Sequence, residues 1–252
     1  MKNITIATLT FATLGWANSL PNLLDLASRS AEREMTALSS VACTETVVET
    51  KVNQKKKTEE RRRQIFDYLV LADTDDGDLA ITESRIAQGK AKTESKPLLL
   101  STGFATMMLI LHPAYQNSFE FTDLGVVDEG GKMWRRLGFE FRPGKRSPSL
   151  LRSGTREFPL AWKGEARIDD STGQVAAIHA SLGSQLEEIG LVKLETTVQY
   201  RPQPGHISGD WLPTEAVIDL ETNHQHWHNV HTFTSYKRFD VATSEKREAV
   251  KQ

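Results

Sequence analysis

The chain has 252 residues, 31 Lys plus Arg against 33 Asp plus Glu, a net charge of −2, 38% hydrophobic residues and one cysteine. These values fit a globular chain with one large domain or two small ones. They exclude a collagen, a disulfide scaffold, a coiled-coil rod and a multi-span helical membrane protein. The near-neutral balance lacks the basic face that nucleic acid requires, so no nucleic-acid partner is expected.

Residues 1–17, MKNITIATLTFATLGWA, place Lys2 before an apolar run that ends at Trp16. The run is too short to span a bilayer, and Gly15 and Ala17 are small residues at the positions a signal peptidase reads. This predicts an export signal cleaved before Asn18; the alternative is a helix or strand of the folded domain. Cys43 follows Ser-Ser-Val-Ala, but Ser40 stands where a lipid-anchor signal carries Leu. Cys43 is therefore read as a small, half-buried thiol entering the first strand.

Residues 22–40 carry Leu24, Ala27, Ala31, Met35 and Leu38 at helical spacing, after Pro21 and Asn22. One amphipathic helix is predicted. The period then drops to two: 44–52, 64–72 and 81–87 read as strands, joined by the polar turns KKKTEERRR (55–63) and DTDDGD (73–78). Residues 98–112, LLLSTGFATMMLILH, form the most apolar block after the leader. Ser101 as a cap and Pro113 as a stop predict a buried helix over 102–112, short for a membrane span.

Seven more strands are predicted at 119–127, 133–142, 160–169, 174–182, 191–201, 212–221 and 226–239, with Asp169–Gly173 turning a hairpin. Helix-then-strands without alternating βα units predicts an α+β chain, mainly β with helices. A sheet of that length must curl, giving a curved antiparallel sheet or half-barrel closed by the amphipathic N-terminal helix and the buried apolar helix. Residues 18–240 form one domain, and 241–252 are expected to be a disordered tail.

The segments RRQIFDYLVLA, FATMMLILHP, GEARIDDSTGQVAAIHA and LPTEAVID carry a resemblance to the periplasmic lipoprotein-carrier superfamily. That group includes LolA-, LolB- and RseB-like proteins and outer-membrane lipoprotein-sorting-like proteins. The resemblance covers roughly residues 22–240 and rests on hairpin patterns rather than on chemical motifs. It implies a periplasmic, non-enzymatic protein whose apolar cavity takes a lipid or lipoprotein acyl chain. Phe104, Met107, Met108, Ile110 and Leu111 are the candidate lining, since flexible Met and aromatic faces suit adaptable apolar ligands. A closed core is the competing reading of the same residues. An envelope sensor or scaffold holding a protein partner on the same fold is the alternative function.

Chemical motifs are sparse. His224, His226 and His228 alternate along the last strand and share one face, a candidate Zn²⁺ or Cu²⁺ set, with His231 on the other face. Solvated histidines are the ordinary reading, because no His-Glu-x-x-His or acidic partner follows. DTDDGD has Ser84 where a calcium loop closes with Glu. KKKTEERRR offers peripheral contact with anionic headgroups or a solvated hairpin tip. No Gly-x-Ser-x-Gly elbow or phosphate loop is present, so neither an enzyme nor a cofactor is expected.

Overall fold

A computed structural model describes residues 19–53, 55, 57–75, 78–88, 103, 105–153, 155–204 and 209–239. The leader at 1–17, Phe104 and the tail at 241–252 lie outside the described residues.

Helix α1 spans Leu20–Leu38, with Pro21 in its first turn. Its buried stripe is Leu23, Ala27, Ala31, Met35 and Leu38, so Leu23 rather than Leu24 leads it. Strands β1 (Val41–Val52), β2 (Thr58–Asp75) and β3 (Asp78–Ala87) form an antiparallel meander. The charged segment expected as a turn is mostly strand: β2 begins at Thr58 and carries Arg61, Arg62 and Arg63 within its ladder. Charges are tolerated there because the inward neighbours of Arg62 include the carboxylates of Glu49 on β1 and Glu60.

The described part of the apolar block, 105–112, is buried over Ala105–Leu111 as expected, but it is not a long helix. Met107–Ile110 make one 3-10 turn, and the next helix, α2, is only Pro113–Gln116. Pro113 opens that helix instead of ending one, which suits its fixed φ and missing N–H. Gly103 has φ +81°, a value that favours glycine and interrupts an α-helix from 102. Ala105 through Leu111 are each no more than 4% exposed. A block enclosed on every side carries no apolar face to hold a helical period.

The remaining strands are β4 (Phe119–Glu129), β5 (Lys132–Phe141), β6 (Leu150–Ser153), β7 (Arg156–Pro159), β8 (Trp162–Ile168), β9 (Val175–Leu182), β10 (Leu191–Pro202), β11 (Trp211–Thr222) and β12 (His226–Arg238), with a 3-10 turn at Glu187–Ile189 before β10. Of the twelve strands among the described residues, ten form one antiparallel sheet in the order β3-β2-β1-β12-β11-β10-β9-β8-β5-β4, and β6 and β7 pair separately. β1 therefore meets β12, joining the first meander to the last, while β3 and β4 remain edges. Among the described residues the sheet is open, and the buried turn Met107–Ile110 packs against β9 and α1 on its concave side.

The curl is measurable. β5 and β11 have three strands between them, a separation of about 19 Å in a flat sheet. Yet Trp134 on β5 and Trp211 on β11 meet edge-to-face at 6.2 Å, and Lys132 Nζ lies 3.9 Å from the Trp134 ring. Gly173, closing the β8–β9 hairpin at φ +73°, lies so near α1 that a Cβ there would stand 2.3 Å from the Leu26 carbonyl. That contact seats α1 against the hairpin. Among the described residues no helix is long and apolar enough to cross a membrane.

Candidate cavity and its charged wall

Alternation along β3 turns Ile81, Glu83 and Arg85 to the concave side. Opposite them, Ser147 donates its Oγ–H to the Leu160 carbonyl at 2.7 Å and holds together the two ends of the β6–β7 excursion. Between this excursion, the apolar block and β3 lies a cavity of about 270 Å³. Its apolar lining includes Ile81, Met107, Leu109, Leu160 and Trp162, and Leu150, 58% exposed, stands at the rim. Glu83, Thr106 and Ser149 supply the polar part.

Of the residues singled out from sequence, Met107 lines this cavity. Met108, Ile110 and Leu111 are fully buried at 0% exposure and pack into the core. Trp162 and Glu83 were not singled out; the signal for Glu83 was an acidic residue on the inward period of a strand otherwise carrying Ile81.

Behind Glu83 the sheet carries a run of buried charge. Arg85 spans β2 to reach Glu45 on β1, with Nε–Oε2 at 2.5 Å and Nη2–Oε1 at 2.9 Å. On its way the guanidinium covers the Tyr68 ring at 4.9 Å. Its Nη1 also reaches Glu83 at 3.2 Å, and Gly103 N–H donates to the other Glu83 oxygen at 2.7 Å. From β12, His231 sets Nδ1 2.7 Å from Glu45 Oε1. The Glu45 side chain is 0% exposed and that of His231 3%.

Burial alone would raise Glu45, but the bonds from His231 and Arg85 outweigh it and hold the carboxyl below its ordinary value. Glu83 shifts the other way: burial dominates over Arg85 and Gly103 and raises it. Cys43, beside this run on β1, is pushed up to about 12 by burial, so it is a protonated core thiol.

The structure does not set the three histidines in one row, because β12 begins only at His226. His231 points inward, while His226 Nε2 and His228 Nδ1 approach Asp219 Oδ1 on the outer face at 3.1 and 2.9 Å. His224 stands exposed in the preceding turn, apart from that pair. Asp219 supplies the acidic partner that β11 brings alongside, invisible in local sequence. Among the described residues no group of three His, Cys, Asp or Glu side chains is set to hold a metal ion.

No protein-family model matches the chain. No curated protein matches it either. Solved structures do. A LolA superfamily protein from Nitrosomonas europaea is 12% identical, with 85% of this chain and 94% of that one covered, at a TM-score of 0.40. A DUF1329 family protein from Desulfovibrio piger is 13% identical, covering 90% and 95%, at 0.46. A domain from Vibrio parahaemolyticus described as an outer membrane lipoprotein-sorting protein is 11% identical, covering 88% and 94%, at 0.46.

Proposed function

We propose that the protein is a non-enzymatic binder or carrier of an apolar chain, exported to the cell envelope by the segment at 1–17 and working in the periplasm. The observation that carries this reading is the cavity of about 270 Å³ between the concave sheet and the apolar block. Its size falls just below the range of about 300–1,000 Å³ usual for small-molecule sites, so it suits one short alkyl chain and not a bundle of acyl chains. Allowing ~30 Å³ for a group the size of a water, it holds a chain of about nine heavy atoms. Each methylene taken from water contributes about 0.8 kcal/mol, so such a chain gains several kcal/mol from burial alone. Met107, with its flexible thioether, adapts the wall to the chain.

Native mass spectrometry after mild purification tests the proposal. An adduct of lipid mass that disappears in Leu109→Trp, a substitution that fills the cavity, supports the carrier. An apo mass that takes up no added alkyl chain, from a protein that melts cooperatively, refutes it.

A further inference from the structure

The charge of the chain is unevenly spread. Residues 51–63 carry seven Lys or Arg against two Glu, while the whole chain sums to −2. They include the turn between β1 and β2 and the first part of β2. Both acids are already paired: Glu59 meets Lys51 at 3.4 Å and Glu60 meets Arg62 at 2.5 Å. That leaves Lys55, Lys57, Arg61 and Arg63, all exposed, which form no ion pair among the described residues.

The backbone presents these four together. Asn53 Oδ1 accepts from the backbone N–H of Lys55 at 2.9 Å and of Lys57 at 3.1 Å, which fixes the turn. Arg62 lies opposite Glu49, 1% exposed on the inward face, so alternation turns Arg61 and Arg63 outward. In the row of Arg61 on the outer face stand Thr50 and His228, and Asp219 beyond them is held by His226 and His228. β3 ends at Ala87 opposite Phe66, so residues 58–64 of β2 have no strand on their other side among the described residues.

Segment 51–63 has no aromatic residue or Met, the anchors on which protein interfaces depend. Diffuse positive charge is what an anionic leaflet recognises, and each Lys or Arg near it strengthens binding about fivefold. We infer that this end of the β1–β2 hairpin docks on an anionic lipid bilayer, with Lys55, Lys57, Arg61 and Arg63 as the contact. The cavity is elsewhere: Ile81 of its lining pairs with Ala72, which lies about 36 Å along β2 from Arg61. The inference therefore stands apart from the carrier reading.

Cosedimentation with vesicles tests it on the full chain, with equimolar phosphatidylglycerol and phosphatidylcholine set against phosphatidylcholine alone. The wild type should bind the anionic vesicles far more tightly than the neutral ones, and should come off them as salt rises from about 0.05 to about 0.5 M. Arg61→Gln with Arg63→Gln, and separately Lys55→Gln with Lys57→Gln, should each weaken anionic binding about 30-fold. Arg29→Gln with Arg156→Gln removes the same charge from exposed sites on α1 and β7 and should leave binding within about twofold. Equal binding to both vesicles, or equal losses in the hairpin and control variants, overturns the inference. Tighter capture by polyglutamate than by the anionic vesicles also overturns it and makes the partner an acidic protein. If a folded hairpin variant binds as the wild type does but self-associates, the charges only keep the edge of β2 from pairing with a second copy, and the inference falls. Should one hairpin pair fail to melt cooperatively, the other pair decides.

Discussion

Arg85 on β3 and Glu45 on β1 form a bidentate ion pair across the intervening β2, at 2.5 and 2.9 Å, with Glu45 fully buried. The fork geometry of guanidinium and carboxylate suits this reach, and Lys would not reproduce it. The pair ties the edge strand of the open sheet to the strand that meets β12, and it holds Glu83 at the cavity wall.

Removing the cation leaves Glu45 and Glu83 buried without it. Arg85→Ala should therefore lose about 3–5 kcal/mol at neutral pH, read from urea midpoints at unchanged slope. The Glu45 carboxyl is held below its ordinary 4.5, so its contribution is complete above that value and is lost as pH falls through the folded value. The gap between wild type and variant should accordingly narrow in acid. A variant as stable as the wild type at neutral pH would show that the pair is not needed to hold the edge strand.

Glu34 lies on the buried side of α1, 4% exposed, accepting from Gln174 Nε2 at 2.6 Å. Burial raises it from 4.5 to about 7; Gln174 and the Trp211 backbone N–H offset only part of this, Asp210 adds to it, and Arg33 opposes it. An acid with a raised folded pKa adds stability that is complete below the unfolded value and is lost as pH rises through the folded one. Between about pH 4.5 and about pH 7 the wild type should thus lose up to about 3 kcal/mol. Glu34→Gln, which cannot ionise, should flatten that slope and melt higher than the wild type at about pH 8. Equal slopes in thermal melts of the two proteins would contradict this.

The docking of α1 can be isolated with two glycines. Gly173→Ala meets both a left-handed φ of +73° and the Leu26 backbone at 2.3 Å, whereas Gly130→Ala meets only its φ of +63°, with nothing within 4 Å. Strained backbone costs about 1–3 kcal/mol, so Gly130→Ala should stay in that range and Gly173→Ala should exceed it. Equal losses in chemical denaturation would mean that α1 does not rest on the hairpin.

Cys43 is 5% exposed and its thiol sits at about 12. At about pH 8 the folded protein should leave an aromatic disulfide reagent unreacted over minutes, and full denaturant should release one thiol per chain, because only the thiolate attacks. Rapid reaction in the folded state would place Cys43 at the surface.

How far the sequence carried this picture depends on the range of the forces. Every strand with a clean period of two and a turn at its end was legible, including Phe139 and Phe141 on β5 and the Asp169–Gly173 hairpin. β6 and β7 were not, since four residues each are too few for a period to register. Alternation separates the two faces of β1 but does not say which is buried. The inward face carries Glu45 and Glu49 because their compensating charges arrive from other strands: Arg85 and His231 are 40 and 186 residues away from Glu45. For the same reason the apolar block announced its burial but not its path. Met107 and Trp162 share one cavity only because the sheet curls and the β6–β7 excursion folds back over it.

The central claim is that this cavity takes an alkyl chain. Anomalous diffraction from crystals soaked in a terminally brominated octanol tests it most directly. A bromine peak is expected inside the cavity bounded by Met107, Leu109 and Trp162, absent from Leu109→Trp crystals treated alike. A cavity that stays empty, or bromine bound only on the outer surface, would contradict it.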